Sequence, residues 1–238
     1  MDKEQIISDV LASAIDDIAI KRQVFSSDSW NLEEVLSIAE RIGKVYAQDF
    51  RIDDDNKKTF VNLIYWMFND KRMQAGNPIT KSLMPGRLNR GIYLYGKTGT
   101  GKTLATKILA KLASVYGVKY SKAGVIYPLS WLDVRADILV DEYSRGNSLS
   151  DFKRAPILCI QDLGSEELEA VYMGNRVNVL KNIIEQRGDK PELITHFTSN
   201  IPLDAKELTD RYGDRAVSRL KGMCNFLTLR GVDRRLIF

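Results

Sequence analysis

Residues 96–103 read Gly-Lys-Thr-Gly-Thr-Gly-Lys-Thr, an unbroken match to the spacing G-x-x-x-x-G-K-[ST]. That spacing suits a phosphate. Glycines let the backbone close into a cradle of amides, and a helix starting behind them adds the positive end of its dipole. Gly96, Lys97, Thr98, Gly99, Thr100, Gly101, Lys102 and Thr103 would surround a triphosphate. Lys102 would reach its β- and γ-phosphates, and the Thr103 hydroxyl would take one position on a magnesium ion.

Chemistry on that triphosphate needs an acid for the metal and a group to place the attacking water. The run Ile160-Gln161-Asp162-Leu163-Gly164-Ser165-Glu166 offers both after an apolar stretch, where a strand end would deliver them to a ligand. Asp162 is the candidate acid and Glu166 a candidate for polarising water. Gln161 precedes Asp162, and a neutral amide cannot give a metal the charge of a carboxylate. Consecutive strand side chains point to opposite faces, so Asp162 serves the metal only if the strand ends or bulges there. Otherwise it positions water or caps the next helix.

Three further groups could complete the site. Asn200 closes Thr198-Ser199-Asn200, placed either to meet the γ-phosphate or to form a turn before Pro202. Arg211, Arg215 and Arg219 recur every four residues, one stripe if the segment is helical. Such a stripe is a solvated basic face, or it offers an arginine to a neighbouring subunit's nucleotide. Arg234 and Arg235 follow the last expected strand, at the rim where open α/β sheets take ligands.

The elements that must hold these groups are legible. Ile92-Tyr93-Leu94-Tyr95 reads as a buried strand, and Leu104, Ile108, Leu109 and Leu112 form a helical stripe behind the loop. Strands are expected at 118–120, 157–160, 193–198 and 226–229, with helices through Trp131 to Tyr143 and through Val177 to Ile184. The alternation implies a parallel sheet covered by helices on both faces. Ahead of it lie three amphipathic stripes: one in the first twenty residues, one opened by Asn31 and Glu34 at capping-box spacing, and one carrying Phe60, Leu63, Ile64 and Met67. This gives a helical region over 1–75 suited to packing or partner docking, a linker over 76–88, and a nucleotide-binding domain over 89–238.

Composition is that of a globular chain: 238 residues, 44% apolar and 28% charged. No apolar stretch is long enough for a bilayer and the acidic N-terminus does not read as a signal peptide, so a cytoplasmic location without membrane contact is expected. Cys159 and Cys224 are read as buried thiols that exclude a zinc ribbon, and His196 as a neutral core residue. Residues 1–88 carry 12 basic and 14 acidic side chains, against 23 and 17 beyond. A basic second half is compatible with nucleic acid as well as with nucleotide.

Taken in order, GKTGTGKT, ILCIQDLGSEE, FTSN, RYGDRAVSRL and GVDRR resemble the DnaC/IstB-like branch of the AAA+ ATPases, from about residue 89 to the end. The resemblance implies a P-loop (AAA+) α/β fold that binds ATP and Mg2+ and hydrolyses ATP, slowly if Gln161 stands for the usual Walker B aspartate. It makes Asn200 similar to sensor 1, Arg219 to the arginine finger and Arg235 to sensor 2. With nine residues after Leu229, the family's small helical lid is not expected. The implied role is a helicase loader that self-associates on ATP and brings a replicative helicase to single-stranded DNA. Two alternatives remain: a transposition helper acting on duplex DNA with a transposase, and a nucleotide switch with little hydrolysis.

Overall fold

The computed structural model describes residues 4, 5, 7, 21–24, 30–122 and 124–234. The helix expected in the first twenty residues falls largely outside them. After strand β1 (Lys21–Val24), Asn31 caps helix α1 (Leu32–Tyr46), its side-chain oxygen accepting from the N–H groups of Glu33 and Glu34 at 2.9 and 3.2 Å. This satisfies two of the donors that a helix start leaves open. Helix α2 (Lys57–Met67) follows the acidic turn and buries Phe60, Leu63, Ile64, Trp66 and Met67.

Residues 74–90 carry more than a loop. Strands β2 (Gln74–Gly76) and β3 (Leu83–Pro85) form an antiparallel hairpin on the sheet edge, where a proline's missing N–H costs no ladder bond. The span read as a linker is thus partly sheet.

Then come β4 (Gly91–Tyr95), α3 (Lys102–Val115), β5 (Val118–Lys122), β6 (Val125–Pro128), β7 (Leu132–Arg135), α4 (Ala136–Ser144) and α5 (Ser150–Arg154). The chain continues through β8 (Ile157–Leu163), β9 (Ala170–Tyr172), β10 (Asn175–Val177), α6 (Val179–Gly188), β11 (Ile194–Ser199), α7 (Lys206–Met223) and β12 (Cys224–Thr228). The main sheet runs β3-β2-β12-β4-β11-β8-β7, and its members from β12 to β7 are mutually parallel. The strand before the phosphate loop therefore lies between β12 and β11, and β11 separates it from β8. This brings the ends of β4, β11 and β8, with their candidate residues, to one rim.

Two expectations change. The helix expected from Trp131 begins only at Ala136, because Leu132 to Arg135 pair in parallel with Leu158 to Gln161 and cover the edge of β8. Leu132 and Val134 are two apart, a strand period that the helical stripe of Leu139 and Tyr143 concealed. The strand at 118–120 joins β1 and β6 in a separate antiparallel sheet, not the parallel one.

Alternation along β4 explains the layering. Ile92 and Leu94 face a core built with α1, α2 and α3, while Tyr93 faces a second built with α4, α6 and α7. Residues 35–68 thus share one apolar core with the helix behind the phosphate loop. His196 sits between the rings of Trp66 and Trp131, 4.7 and 5.2 Å between centroids, as a core residue. Both cysteines are buried, and burial pushes their thiols up. Among the described residues no helix is long and apolar enough to cross a membrane.

Candidate functional site

The phosphate loop hangs between β4 and α3. Gly101, with φ of +92°, occupies the N-cap of α3, and its carbonyl accepts the N–H of Ala105 at 2.8 Å. Gly99 has φ of +76°, and a Cβ there would lie 1.8 Å from Asp233 Oδ1. Only glycine tolerates both the left-handed backbone and that approach. The segment after β12 folds against the loop: Leu229 N–H donates to the Tyr95 carbonyl at 2.7 Å and Arg234 N–H to the Gly99 carbonyl at 3.1 Å. The Arg234 guanidinium donates to Asp53 Oδ1 at 2.9 Å, and its buried Nε meets no acceptor among the described residues.

Lys102 is buried, and its ammonium donates to the carbonyls of Gly96 and Lys97 and, at 2.5 Å, to Asn200 Oδ1. Two sequence candidates from opposite ends of the domain therefore meet. Thr103 opens α3 one residue later and is half-buried. These residues fit a magnesium triphosphate: glycines at left-handed φ, a lysine held at the loop's mouth, and a hydroxyl on the first helical turn. Among the described residues no cluster of three or more His, Cys, Asp or Glu side chains stands ready for a metal. Thr103 and Asp162, together with phosphate oxygens, are the groups that would hold magnesium, as is usual for this weakly dehydrating ion.

The end of β8 meets the condition set for Asp162. Phe197 pairs with Ile160 and Ser199 with Leu163, so β8 spends one residue more than β11 across this interval. That is a bulge, and Asp162 sits in it with φ of +56°. No described residue bonds its carboxylate, while its N–H donates to Thr198 Oγ1 at 2.9 Å. Gln161 beside it is buried, its Nε2 2.8 Å from both Thr106 Oγ1 and Asp133 Oδ1 and 3.2 Å from Cys159 Sγ.

Glu166 is not brought to the phosphate loop by any described contact. Its carboxylate is 1% exposed and accepts from Tyr212 Oη at 2.5 Å, Arg211 Nη2 at 3.2 Å and the Gly164 N–H at 2.8 Å. All three bonds brace the turn after β8. The arginine stripe is also split. Gly213, with φ of +77° and ψ of 161°, breaks the helical path within α7. Arg211 therefore turns to Glu166, whereas Arg215 (3.6 Å) and Arg219 both pair with Asp189 at the end of α6. Arg235 lies outside the described residues. Sequence reading did not single out Thr106, Asp133 or Thr198, whose types and spacing carry no signal until β11, β8, β7 and α3 come together.

No family model matches this chain. Over 126 residues it is 28% identical to the replicative helicase loader DnaI of Bacillus subtilis (strain 168), a match covering 53% of this chain and 38% of that protein. The chain thus spans well under half of that relative. Among solved structures, a candidate primosome component from Streptococcus pyogenes serotype M3 aligns over 79% of this chain and 87% of its own at 21% identity and a TM-score of 0.51, showing a shared fold. The DnaC helicase loader aligns over 77% of this chain and 95% of its own, with 17% identity and a TM-score of 0.48.

Proposed function

We propose that this chain is a DnaC-like AAA+ ATPase that binds magnesium ATP at residues 96–103 and helps place a replicative helicase on single-stranded DNA, a reading supported by its similarity to the loader DnaI and by the fold it shares with the primosome component. The contact between Lys102 and Asn200 supports this most directly. It puts the Lys102 ammonium and the Asn200 amide at one point beside the glycine loop, which suits a cation that reads phosphate and an amide that orients water. Bound magnesium would screen the phosphate charge and fix the reacting end.

The chain's own residues divide the remaining work. Lys102 exchanges its present partners, Asn200 Oδ1 among them, for phosphate oxygens, which releases Asn200 to orient water. Thr103 and Asp162 hold the metal side. Glu166 secures the turn that follows Asp162. Arg219 reaches a neighbouring subunit's nucleotide once it leaves Asp189, and Arg235 adds charge beside Arg234. The region of residues 1–75, with α1 and α2, supplies the surface for the helicase. A second reading, a nucleotide switch that hydrolyses little, is favoured by one observation: a buried neutral amide at position 161.

The test is a titration of fluorescent (mant-labelled) ATP, followed by sedimentation with the helicase and a labelled single-stranded oligonucleotide. Lys102→Ala should lose nucleotide binding and the ATP-dependent complex together. A wild-type chain that refuses ATP, or that joins helicase and DNA equally without it, overturns the loader reading. Strong ATP binding with negligible turnover selects the switch.

A further inference from the structure

We propose that Thr198 and Gln161 are positioning residues for Asp162, and that position 161 must be an amide because Asp133 faces it. The inference rests on the nucleotide-site reading above and deepens it.

Gln161 and Asp162 together stand opposite Thr198, because the β8–β11 register shifts between Phe197 and Ser199. Two residues against one release Asp162 from strand alternation, and a positive φ at a non-glycine residue needs something to hold it. Thr198 is that hold. It is fully buried, its Oγ1 accepts the N–H of Asp162 at 2.9 Å, and its hydroxyl donates to Gln161 Oε1 at 2.9 Å. Both capacities of the hydroxyl are used on the bulge.

Gln161 passes the connection onward. Its Nε2 reaches Asp133 Oδ1 on β7 and Thr106 Oγ1 on α3. The Thr106 hydroxyl donates to the Thr103 carbonyl at 2.9 Å. A chain of bonds thus ties Asp162 to the helical turn that carries the second candidate metal group. The amide accepts from Thr198 on one atom and donates to Asp133 from the other, which an ionised carboxylate cannot do. A glutamate at 161, with the reach of the glutamine, would accept from Thr198 but set a second acceptor against Asp133 Oδ1 with no hydrogen between them. Position 161 is matched to Asp133, and its departure from the usual acid follows from that match.

The experiment measures mant-ATP affinity against magnesium concentration, with the melting temperature, for purified full-length variants. Asp162→Asn should flatten the magnesium dependence. Thr198→Val should weaken the magnesium-dependent affinity by ~10- to 100-fold, the range for losing a group that orients a metal ligand, and Thr198→Ser should stay near wild type. Gln161→Glu should lose affinity and melt earlier, and Gln161→Glu combined with Asp133→Asn should recover both, because an amide again faces a carboxylate at the same reach. Thr198→Val with wild-type magnesium dependence overturns the inference. So does Gln161→Glu that binds magnesium ATP more tightly at an unchanged melting temperature. Should Thr198→Val not fold, Thr198→Ser and the paired swap decide. Binding at saturating magnesium separates the two levels: its absence in the wild type defeats the nucleotide-site reading, whereas its presence beside an indifferent swap defeats only this inference.

Discussion

The Lys102 ammonium donates to the carbonyls of Gly96 and Lys97 and to the amide oxygen of Asn200, so a phosphate must compete with bonds already made. Glu166 is likewise buried, but its partners are the Tyr212 hydroxyl, the Arg211 guanidinium and the Gly164 amide. Removing one member of such a set leaves the others desolvated and unpaired, at about 1–3 kcal/mol each. Glu166→Ala is therefore expected to lower the unfolding free energy by about 2–4 kcal/mol, read from denaturant midpoints. Glu166→Gln should cost less, because an amide oxygen still accepts. If Glu166→Gln abolishes turnover with no change in midpoint, the carboxylate acts on water after all.

Among the elements, α7 owes its shape to one residue. Gly213 lies in a φ/ψ region that is essentially reserved for glycine, and a Cβ there would meet nothing closer than 3.8 Å. Gly213→Ala should therefore cost about 1–3 kcal/mol through backbone strain alone, and thermal unfolding would show it. A cost near zero would mean that α7 can straighten. The end of α5 and the strand β11 are joined by Arg187, which is 1% exposed and donates to the carbonyls of Phe152, Ala155 and Ile194 and to Thr195 Oγ1. Burial alone lowers its guanidinium to about 10. Arg187→Lys keeps a cation but not four directed bonds, and is expected to lose about 1.5–3 kcal/mol.

Across the molecule, the acidic turn ahead of α2 reaches the phosphate loop through Arg234, which donates its side chain to Asp53 and its backbone N–H to Gly99. Arg234 holds the Asp53 carboxyl below the usual carboxylate range. A depressed folded value means that this stability is present above the unfolded value near 4 and is lost as pH falls below it. Both side chains are partly solvated, so the pair is worth about 1 kcal/mol or less. Asp53→Asn should melt slightly earlier than wild type at pH 7 and converge with it toward pH 3. Differential scanning at the two pH values would show this, and a gap that persists at pH 3 would mean that charge is not the cause.

The phosphate loop, the strand and helix that hold it, the cap at Asn31 and the apolar strands flanking β4 were all legible in the residues alone. Each is a local pattern whose geometry follows from residues a few positions apart. Sequence patterns placed Asn200 and Asp162 at strand ends but could not choose between their readings, because a bulge exists only between two strands. Tertiary structure alone decided that Asn200 meets Lys102, that Glu166 is braced by α7, that Gly213 splits the arginine stripe and that Leu132 to Arg135 extend the sheet. Those outcomes depend on which strand lies beside which. Hydrogen bonds and burial across β11, β8 and β7 link residues dozens of positions apart, and no sequence period records them.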